Sequence, residues 1–194
     1  MRKRFAAVMG GLLTFAVFLP TLVFATSVKQ MNIEELSANA DKIFRGTVIS
    51  VQQGTVEAGG AELPTVTYTL KVDEAFKGEF EIQKDDVRLA KITMISDPKA
   101  DDPAADIQRI GLFRDVPRLA VGNDYLLFTS AESRIGLSAT IGLNQGCFDI
   151  VGAMALNRVG NLGLFHGAAT AGPDKGPMPY AELSERIRNI VATQ

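Results

Sequence analysis

The sequence predicts a mainly β fold, a small closed or partly open barrel with a short N-terminal helix and a C-terminal amphipathic helix. Short apolar runs separated by Gly-rich turns recur along the chain, and residues 65–72 alternate strictly between apolar and polar side chains. A sustained helical spacing of apolar residues is found only near the C-terminal end. Of the 194 residues, 46% are hydrophobic and 22% are charged, a composition that excludes a disordered chain or a disulfide scaffold.

Residues 1–25 have the three-part pattern of a secretory signal peptide. Three basic residues precede a long uncharged apolar run, and Val23 and Ala25 stand at the −3 and −1 positions of a cleavage site. Pro20 breaks the apolar helix just before that site. We therefore expect cleavage after Ala25 and a single mature domain over residues 26–194. An uncleaved membrane anchor is the alternative, because about 20 apolar residues can span a bilayer.

The charge balance disfavours two classes of partner. The full chain has 20 basic and 22 acidic residues, and loss of the three basic residues of the leader leaves 17 against 22, a net charge of −5. Nucleic acids and anionic lipid surfaces need a basic footprint, so neither is expected to bind. The leader and the lack of a second long apolar run in the sequence predict a bacterial exported protein, periplasmic or extracellular, with no membrane span after cleavage.

A short helix and a strand begin the mature domain. Asn32 is a good N-cap and Glu35 stands three residues later as its capping-box partner, so the sequence predicts a helix over residues 33–40. Residues 42–53 are rich in Val and Ile and predict a strand, with Gly46 as a bulge or tight bend.

Two more strands complete the first half of the predicted barrel. Residues 65–72 form the strand with the clearest alternation, and a loose hairpin loop over residues 54–64 joins it to the preceding strand. A third strand over residues 87–95 leads into a surface loop, residues 94–111, which is rich in Asp and Pro.

The second half is predicted as short strands followed by a helix. Strands are expected over residues 125–129, 146–151 and 153–156, each next to turn-forming residues. Residues 167–179 hold three Gly and three Pro and form a connection. A helix over residues 180–192 ends the chain.

The predicted C-terminal helix is amphipathic. Four aliphatic residues recur at helical spacing, with charged residues on the opposite side. They are Leu183, Ile187, Ile190 and Val191. We expect this apolar face to pack against the barrel, and the alternative is a free arm that docks on a partner.

Three segments of the chain follow one another in a characteristic order. Residues 40–48 contain Arg-Gly-Thr-Val, residues 68–78 end in Phe-Lys-Gly, and residues 121–128 contain Tyr-Leu-Leu-Phe. In this order they resemble the netrin-like fold, the OB-like barrel used by tissue inhibitors of metalloproteinases. The sequence also resembles bacterial exported proteins of unassigned function that carry such a barrel. The resemblance covers residues 30–155 and implies an OB-like (netrin-like) barrel.

The resemblance implies a fold and not a mechanism. The animal inhibitors approach the protease zinc with a Cys at the mature N-terminus, and disulfides staple them. Here the expected mature N-terminus is Thr26, and the only cysteine is Cys147. Because fold does not fix function, the inhibitory mechanism is not carried over.

The chain has one Cys and one His, so candidates for nucleophilic or metal chemistry are few. Cys147 lies beside Phe148 in a predicted strand, where we expect a buried, unreactive thiol; a nucleophile or an intermolecular disulfide partner is the alternative. His166 has no nucleophile elbow near it, and we expect a partly exposed histidine at a strand end. The usual zinc sites need more such ligands, so we assign no catalytic residue, metal ligand or cofactor.

Four aspartates within residues 97–106 are the best metal candidate. They are Asp97, Asp101, Asp102 and Asp106. Oxygen ligands suit calcium, but Pro98 and Lys99 interrupt the run, and the Gly and closing Glu of an EF-hand are missing. We expect a solvated surface loop, and calcium binding stays open.

Residues 134–145 carry a single charge, that of Arg134. Small or polar residues alternate with apolar ones in two short bursts, Ile135 with Leu137 and Ile141 with Leu143. We expect a buried strand that crosses the barrel. The alternative is a partner-binding edge, because exposed backbone next to apolar side chains favours strand addition.

Two functions of different classes remain. The first is a non-enzymatic exported binding module that interacts with a secreted protease or an envelope protein through residues not yet assigned. The second is a secreted hydrolase with a dispersed active site. A deep pocket with converging Asp, Ser or His166 side chains would favour the hydrolase, and an exposed apolar edge would favour the binding module.

Overall fold

The computed structural model of the chain describes residues 29–96, 116–169, 172–173 and 175–194. The expected signal peptide, its cleavage site and the acidic residues 97–106 lie outside these described residues. No helix within the described ranges is long and apolar enough to cross a membrane.

One antiparallel sheet and two α-helices are the main elements of the described fold, which also has two short 3-10 helices, Lys84–Asp86 and Leu143–Gly146. In chain order the elements are α1 (Ile33–Asn39), β1 (Lys42–Ala58), β2 (Ala61–Lys77), β3 (Glu81–Ile82), β4 (Arg88–Ile95), β5 (Asp124–Thr129), β6 (Cys147–Val151), β7 (Met154–Asn157), β8 (Met178–Pro179) and α2 (Tyr180–Ala192). The strand order is β3-β4-β2-β1-β5-β6-β7-β8. The prediction of a mainly β fold with one helix near each end is confirmed. The described order runs from β3 at one edge to β8 at the other, so closure into a barrel stays a prediction.

The capping box predicted at the start of α1 is present. The Oδ1 atom of Asn32 accepts a hydrogen bond from the backbone N–H of Glu35 at 2.9 Å, and Oε2 of Glu35 accepts one from the backbone N–H of Asn32 at 3.1 Å. Two backbone donors at the helix start are thereby satisfied. The helix then buries Ile33 and Leu36 completely against the sheet.

β1 and β2 are longer than predicted and form one hairpin with 17 residues in each strand. The predicted loose loop over residues 54–64 is wrong, because β1 continues through Gly54 and the strands are joined by Gly59 and Gly60 alone. Their φ angles are +62° and +79°, which glycine adopts without strain and which match the twist of a two-residue hairpin turn. The predicted bulge at Gly46 is confirmed by a register shift there.

The sheet separates two apolar cores, because successive residues of a strand point to opposite faces. One core lies between the sheet and the helices, and we call it the helix-side core. It includes Ile33, Leu36, Ile43, Leu126, Phe128, Phe148, Leu183 and Ile187. The core on the other face, the opposite core, includes Phe44, Val48, Leu70, Ile92, Tyr125, Leu127 and Cys147. β5 is covered on both faces, and its residues 125–129 are therefore all buried.

α2 covers the residues over which the sequence predicts a helix. Leu183 and Ile187 are completely buried in the helix-side core, and Val191 packs against its edge. The apolar face of α2 thus packs on the sheet, and the alternative of a free arm is wrong.

Most predicted strands and helices shift by one residue at an end, and two predicted connections differ more clearly from the structure. Met94 and Ile95 belong to β4, and Met94 is buried, so the loop predicted over residues 94–111 begins too early. The connection predicted over residues 167–179 ends in a short strand, β8, which pairs with β7.

Residues 134–145 do not form the predicted buried strand. Gly136 and Gly142 have φ angles of +77° and +59°, and they turn the chain where a strand would have to continue. The segment contacts the sheet through one isolated bridge, between Thr140 and Thr129 of β5, and through backbone hydrogen bonds to β4 and β5. Its last residues form a short 3-10 turn that leads into β6.

Candidate binding cleft

Cys147 is a free, completely buried thiol at the start of β6. Burial raises its pKa to about 12, because the thiolate would lose its hydration, while the nearby Arg158 guanidinium acts in the opposite direction. The thiol lies in the opposite core with Phe44 and Leu127. The predicted burial is confirmed, and a thiol in this state is not a nucleophile at neutral pH.

His166 lies in the turns after β7 and is exposed, so the predicted position at a strand end is wrong. Among the hydrogen bonds of the described residues, His166 takes part only through its backbone N–H and carbonyl. Its N–H donates to the carbonyl of Gly163 at 3.1 Å, and its carbonyl accepts from the side chain of Asn32 at 3.3 Å. The described residues include no group of three or more His, Cys, Asp or Glu side chains that could hold a metal ion.

A charged network joins the sheet to α2. The Nε and Nη2 atoms of Arg45 donate to Oδ2 of Asp124 at 2.8 and 2.5 Å, and the guanidinium lies 4.5 Å from the ring centroid of Tyr180. The Tyr180 hydroxyl donates to one carboxylate oxygen of Glu74, and Arg188 donates to the other. Each charge in this network has a partner of opposite sign, so the network holds α2 against the sheet.

An apolar cleft of about 520 Å³ lies where β2 and β4 meet the segment that follows β5. Its size falls in the range of small-molecule sites. The apolar residues that line it are Leu63, Met94, Ile95, Val116, Leu137 and Leu143. Serine and alanine supply the other described lining residues, so no charged side chain of the described chain lines the cleft.

Hydrogen bonds within the cleft wall fix its shape. The N–H of Ser133 donates to the carbonyl of Leu137 at 2.7 Å, and the Ser133 hydroxyl accepts from the N–H of Leu137 at 3.0 Å. The Ser130 hydroxyl accepts from the N–H of Ala139 at 3.1 Å. The N–H of Ser138 donates to the carbonyl of Thr93, which attaches the wall to β4 at 2.8 Å. These serines therefore stabilise the wall itself.

A second, smaller cavity of about 330 Å³ shares Leu143 with the cleft as a lining residue. Leu143 lines both cavities and has a φ of +56°, a left-handed conformation that costs free energy for a side chain of this size. Leu162, 58% exposed, lines the smaller cavity, as does Gln145. The Gln145 amide accepts from the N–H of Met31 and donates to the carbonyl of Lys29, so it anchors the chain before α1.

The low-charge residues 134–145 thus line two cavities instead of crossing the interior as a strand. Ile135, in the same segment, lines neither cavity and is 43% exposed. The lack of charge marks this segment in the sequence. No sequence signal marks Leu63 and Met94, which line the cleft from β2 and β4. Leu63 falls in the stretch predicted as a loop, and Met94 falls in a strand with no mark of a site.

Comparisons with protein-family models and with curated proteins find no match to this chain. The netrin-like resemblance therefore stays a prediction, and the cleft is interpreted from its own geometry.

Proposed function

We propose that the chain is an exported, non-enzymatic binding module that holds an apolar segment of a partner protein in the apolar cleft. One observation carries this proposal, the apolar cleft of about 520 Å³. None of its described lining residues is charged, and the low-charge residues 134–145 form part of its wall. The partner is a secreted protease or an envelope protein, and the module works in the periplasm or outside the cell.

The chemistry of the cleft selects an apolar occupant. A charged group inside it would lose its hydration without gaining a partner of opposite charge. An aliphatic or aromatic side chain instead gains about 25 cal/mol for each Å² of apolar surface removed from water. Leu137 and Leu143 on one wall, and Met94 on the other, supply that contact surface.

The cleft is also formed before a partner arrives. The hydroxyls of Ser130 and Ser133 bond to the wall's own backbone, and Ser138 attaches the wall to β4. A partner segment therefore does not have to order the cleft when it binds, and this lowers the entropic cost of binding.

The described candidates for chemistry favour binding over hydrolysis. Cys147 is buried with a raised pKa, and His166 is an exposed turn residue outside the opposite core that holds Cys147. Neither lines the cleft, and nucleophilic catalysis needs the nucleophile and its base within hydrogen-bond distance.

A fluorescent probe tests the cleft. We expect N-phenyl-1-naphthylamine, an uncharged apolar fluorophore, to bind the full chain, and Leu137→Glu to weaken that binding by at least about tenfold because a carboxylate enters the cleft. Ile82→Glu is the matched control, since Ile82 is 65% exposed in β3 and lies outside the cleft. Equal probe affinity for the two variants would overturn the proposal.

The export part of the proposal has its own test. The leader pattern of residues 1–25 supports cleavage after Ala25. We expect protein from the envelope fraction to have the mass of a chain that begins at Thr26. A full-length mass, with the protein held in the inner membrane, would overturn export as a cleaved protein and leave the cleft proposal standing.

A further inference from the structure

Among the described residues, the distal half of β1, residues 49–58, has no partner along one edge. β1 pairs with β5 only over residues 42–47, and the N–H and carbonyl of Val48 then bond to Asn123 and Gly122. Over residues 49–58, β1 bonds to β2 on one side, and no described residue pairs with it on the other.

The hairpin geometry shows which backbone groups face this edge. The two-residue turn makes Ala58 and Ala61 the hydrogen-bonded pair nearest the turn. Hydrogen-bonded and non-hydrogen-bonded pairs alternate along an antiparallel ladder, so Val56 and Gly54 also bond to β2. The residues between them direct N–H and C=O away from β2. The outward residues are Val51, Gln53, Thr55 and Glu57.

Beyond the register shift between Val48 and Ser50, this edge lacks the features that usually prevent strand addition. Proteins protect an edge with Lys, with Pro, with a β-bulge or with a very short strand. Residues 49–58 contain neither Lys nor Pro, and their only charge is that of Glu57. Ile49 is 50% exposed and Val51 is 37% exposed beside the free backbone groups.

We propose that the β1 edges of two copies of this chain pair antiparallel about a two-fold axis at Gly54. In this register Val51 lies opposite Glu57 of the second copy, and Gln53 lies opposite Thr55 of the second copy. The pairing satisfies the outward groups of all four residues in both copies with about eight hydrogen bonds. Moving the two-fold axis by one residue, to Gln53 or to Thr55, leaves at least one outward residue of each copy unpaired.

Charge favours a second copy as the occupant. In this register Glu57 faces the uncharged Val51, and the two Glu57 carboxylates stand six residues apart along the strand, about 20 Å. Like charges are therefore not brought opposite each other.

Backbone shape favours the same occupant. Gly54 meets Gly54 of the second copy in a non-hydrogen-bonded pair, where the Cα atoms of an antiparallel ladder approach to about 4.5 Å. A second copy also offers an edge that its own hairpin already holds extended. A flexible foreign peptide would lose conformational freedom at each residue it ordered, so it is the weaker occupant.

Cysteine cross-linking of the full chain tests the register. A Cβ at Gly54 meets only the Thr65 hydroxyl, at 3.2 Å, so Gly54→Cys fits the hairpin. The close Cα approach at the axis is within disulfide range, and we expect a covalent dimer after mild oxidation. Gln52→Cys is the control, because its two copies would lie about 14 Å apart along the strand. Equal cross-linking of both variants, or none of Gly54→Cys, would overturn the proposed register.

Solution mass tests the association without a cross-link. We expect the unmodified chain to sediment as a dimer and Gln53→Pro to sediment as a monomer. Proline removes the outward N–H of Gln53 and leaves the bonds between β1 and β2 in place. An unchanged circular-dichroism spectrum will show that the variant is folded. A monomeric unmodified chain, or a folded Gln53→Pro dimer, would overturn the proposal.

Discussion

The hydroxyl of Tyr180 donates a hydrogen bond of 2.5 Å to Oε2 of Glu74 and so joins the first residue of α2 to β2. The other oxygen of Glu74 accepts from Arg188, two turns further along the same helix. One carboxylate therefore holds α2 at two points, while Arg45 of β1 lies over the Tyr180 ring.

Removing the Tyr180 hydroxyl tests this attachment. We expect Tyr180→Phe to lower the free energy of unfolding by about 1–3 kcal/mol, because it deletes a hydrogen bond to a charged acceptor and keeps the ring under Arg45. Urea denaturation of Tyr180→Phe, Glu74→Gln and the double variant measures the coupling between the two side chains. A coupling energy of zero would show that the contact does not stabilise the protein.

The buried face of α2 gives a larger expected effect. Leu183 and Ile187 are completely buried in the helix-side core, so replacing either with Ala is expected to cost about 2–5 kcal/mol. Glu185→Ala, on the exposed face of the same helix, is the control and is expected to change stability by less than about 0.5 kcal/mol. Thermal melts compare the three variants, and a melting temperature of Leu183→Ala equal to that of the control would contradict this packing.

Stability is expected to fall at alkaline pH. The unfolded chain releases the Cys147 proton near the ordinary thiol pKa of 9, whereas burial holds the folded pKa at about 12. Between these values the folded state binds more protons than the unfolded state, so the free energy of unfolding decreases as pH rises. Burial also raises the pKa of Tyr68 and of Tyr180, and both act in the same direction.

Cys147→Ala separates the thiol from the tyrosines. Urea midpoints from pH 7 to about 12 should decrease less steeply in this variant, because only the tyrosines then contribute. A thiol reagent should label the unmodified native chain slowly and the unfolded chain rapidly. Identical pH profiles of the two proteins, or rapid native labelling, would disagree with a buried thiol.

Gly46 leaves no room for a side chain at the bulge of β1. A Cβ there would lie 2.5 Å from the carbonyl oxygen of Lys71, a backbone atom of the paired strand. We expect Gly46→Ala to lower the free energy of unfolding by about 1–3 kcal/mol, because the strands must separate locally. Gln52→Ala, at an exposed position of the same strand, is the control in thermal melts, and equal losses in both variants would argue against the clash.

The sequence predicts the strands well where one local signal dominates, and less well where pairing overrides that signal. Gly54 and Pro64 both indicate a loop, yet β1 and β2 run through them. Thr55 and Pro64 face each other in a non-hydrogen-bonded pair, so the missing N–H of Pro64 removes no bond to β1. The turn at Gly59 and Gly60 then decides the hairpin length.

The candidate site shows the limit of a single sequence more clearly. The low charge of residues 134–145 marks an unusual segment, but a buried strand and a cleft wall share that composition. Glycine positions decide between them, through positive φ angles at Gly136 and Gly142 that the sequence does not specify. The contact between Tyr180 and Glu74 spans 106 residues, and no local pattern in the sequence predicts it.

The position of β5 beside β1 has a consequence for folding kinetics. Arg45 and Asp124 are 79 residues apart in sequence, whereas the strands of the β1–β2 hairpin are joined by two residues. Hairpins form within about 1–10 μs, but a pairing between distant segments waits for the closure of a long loop. We therefore expect the hairpin to form early and the pairing of β1 with β5 to form late. Until β5 pairs with β1, both cores lack the strand that lies between them.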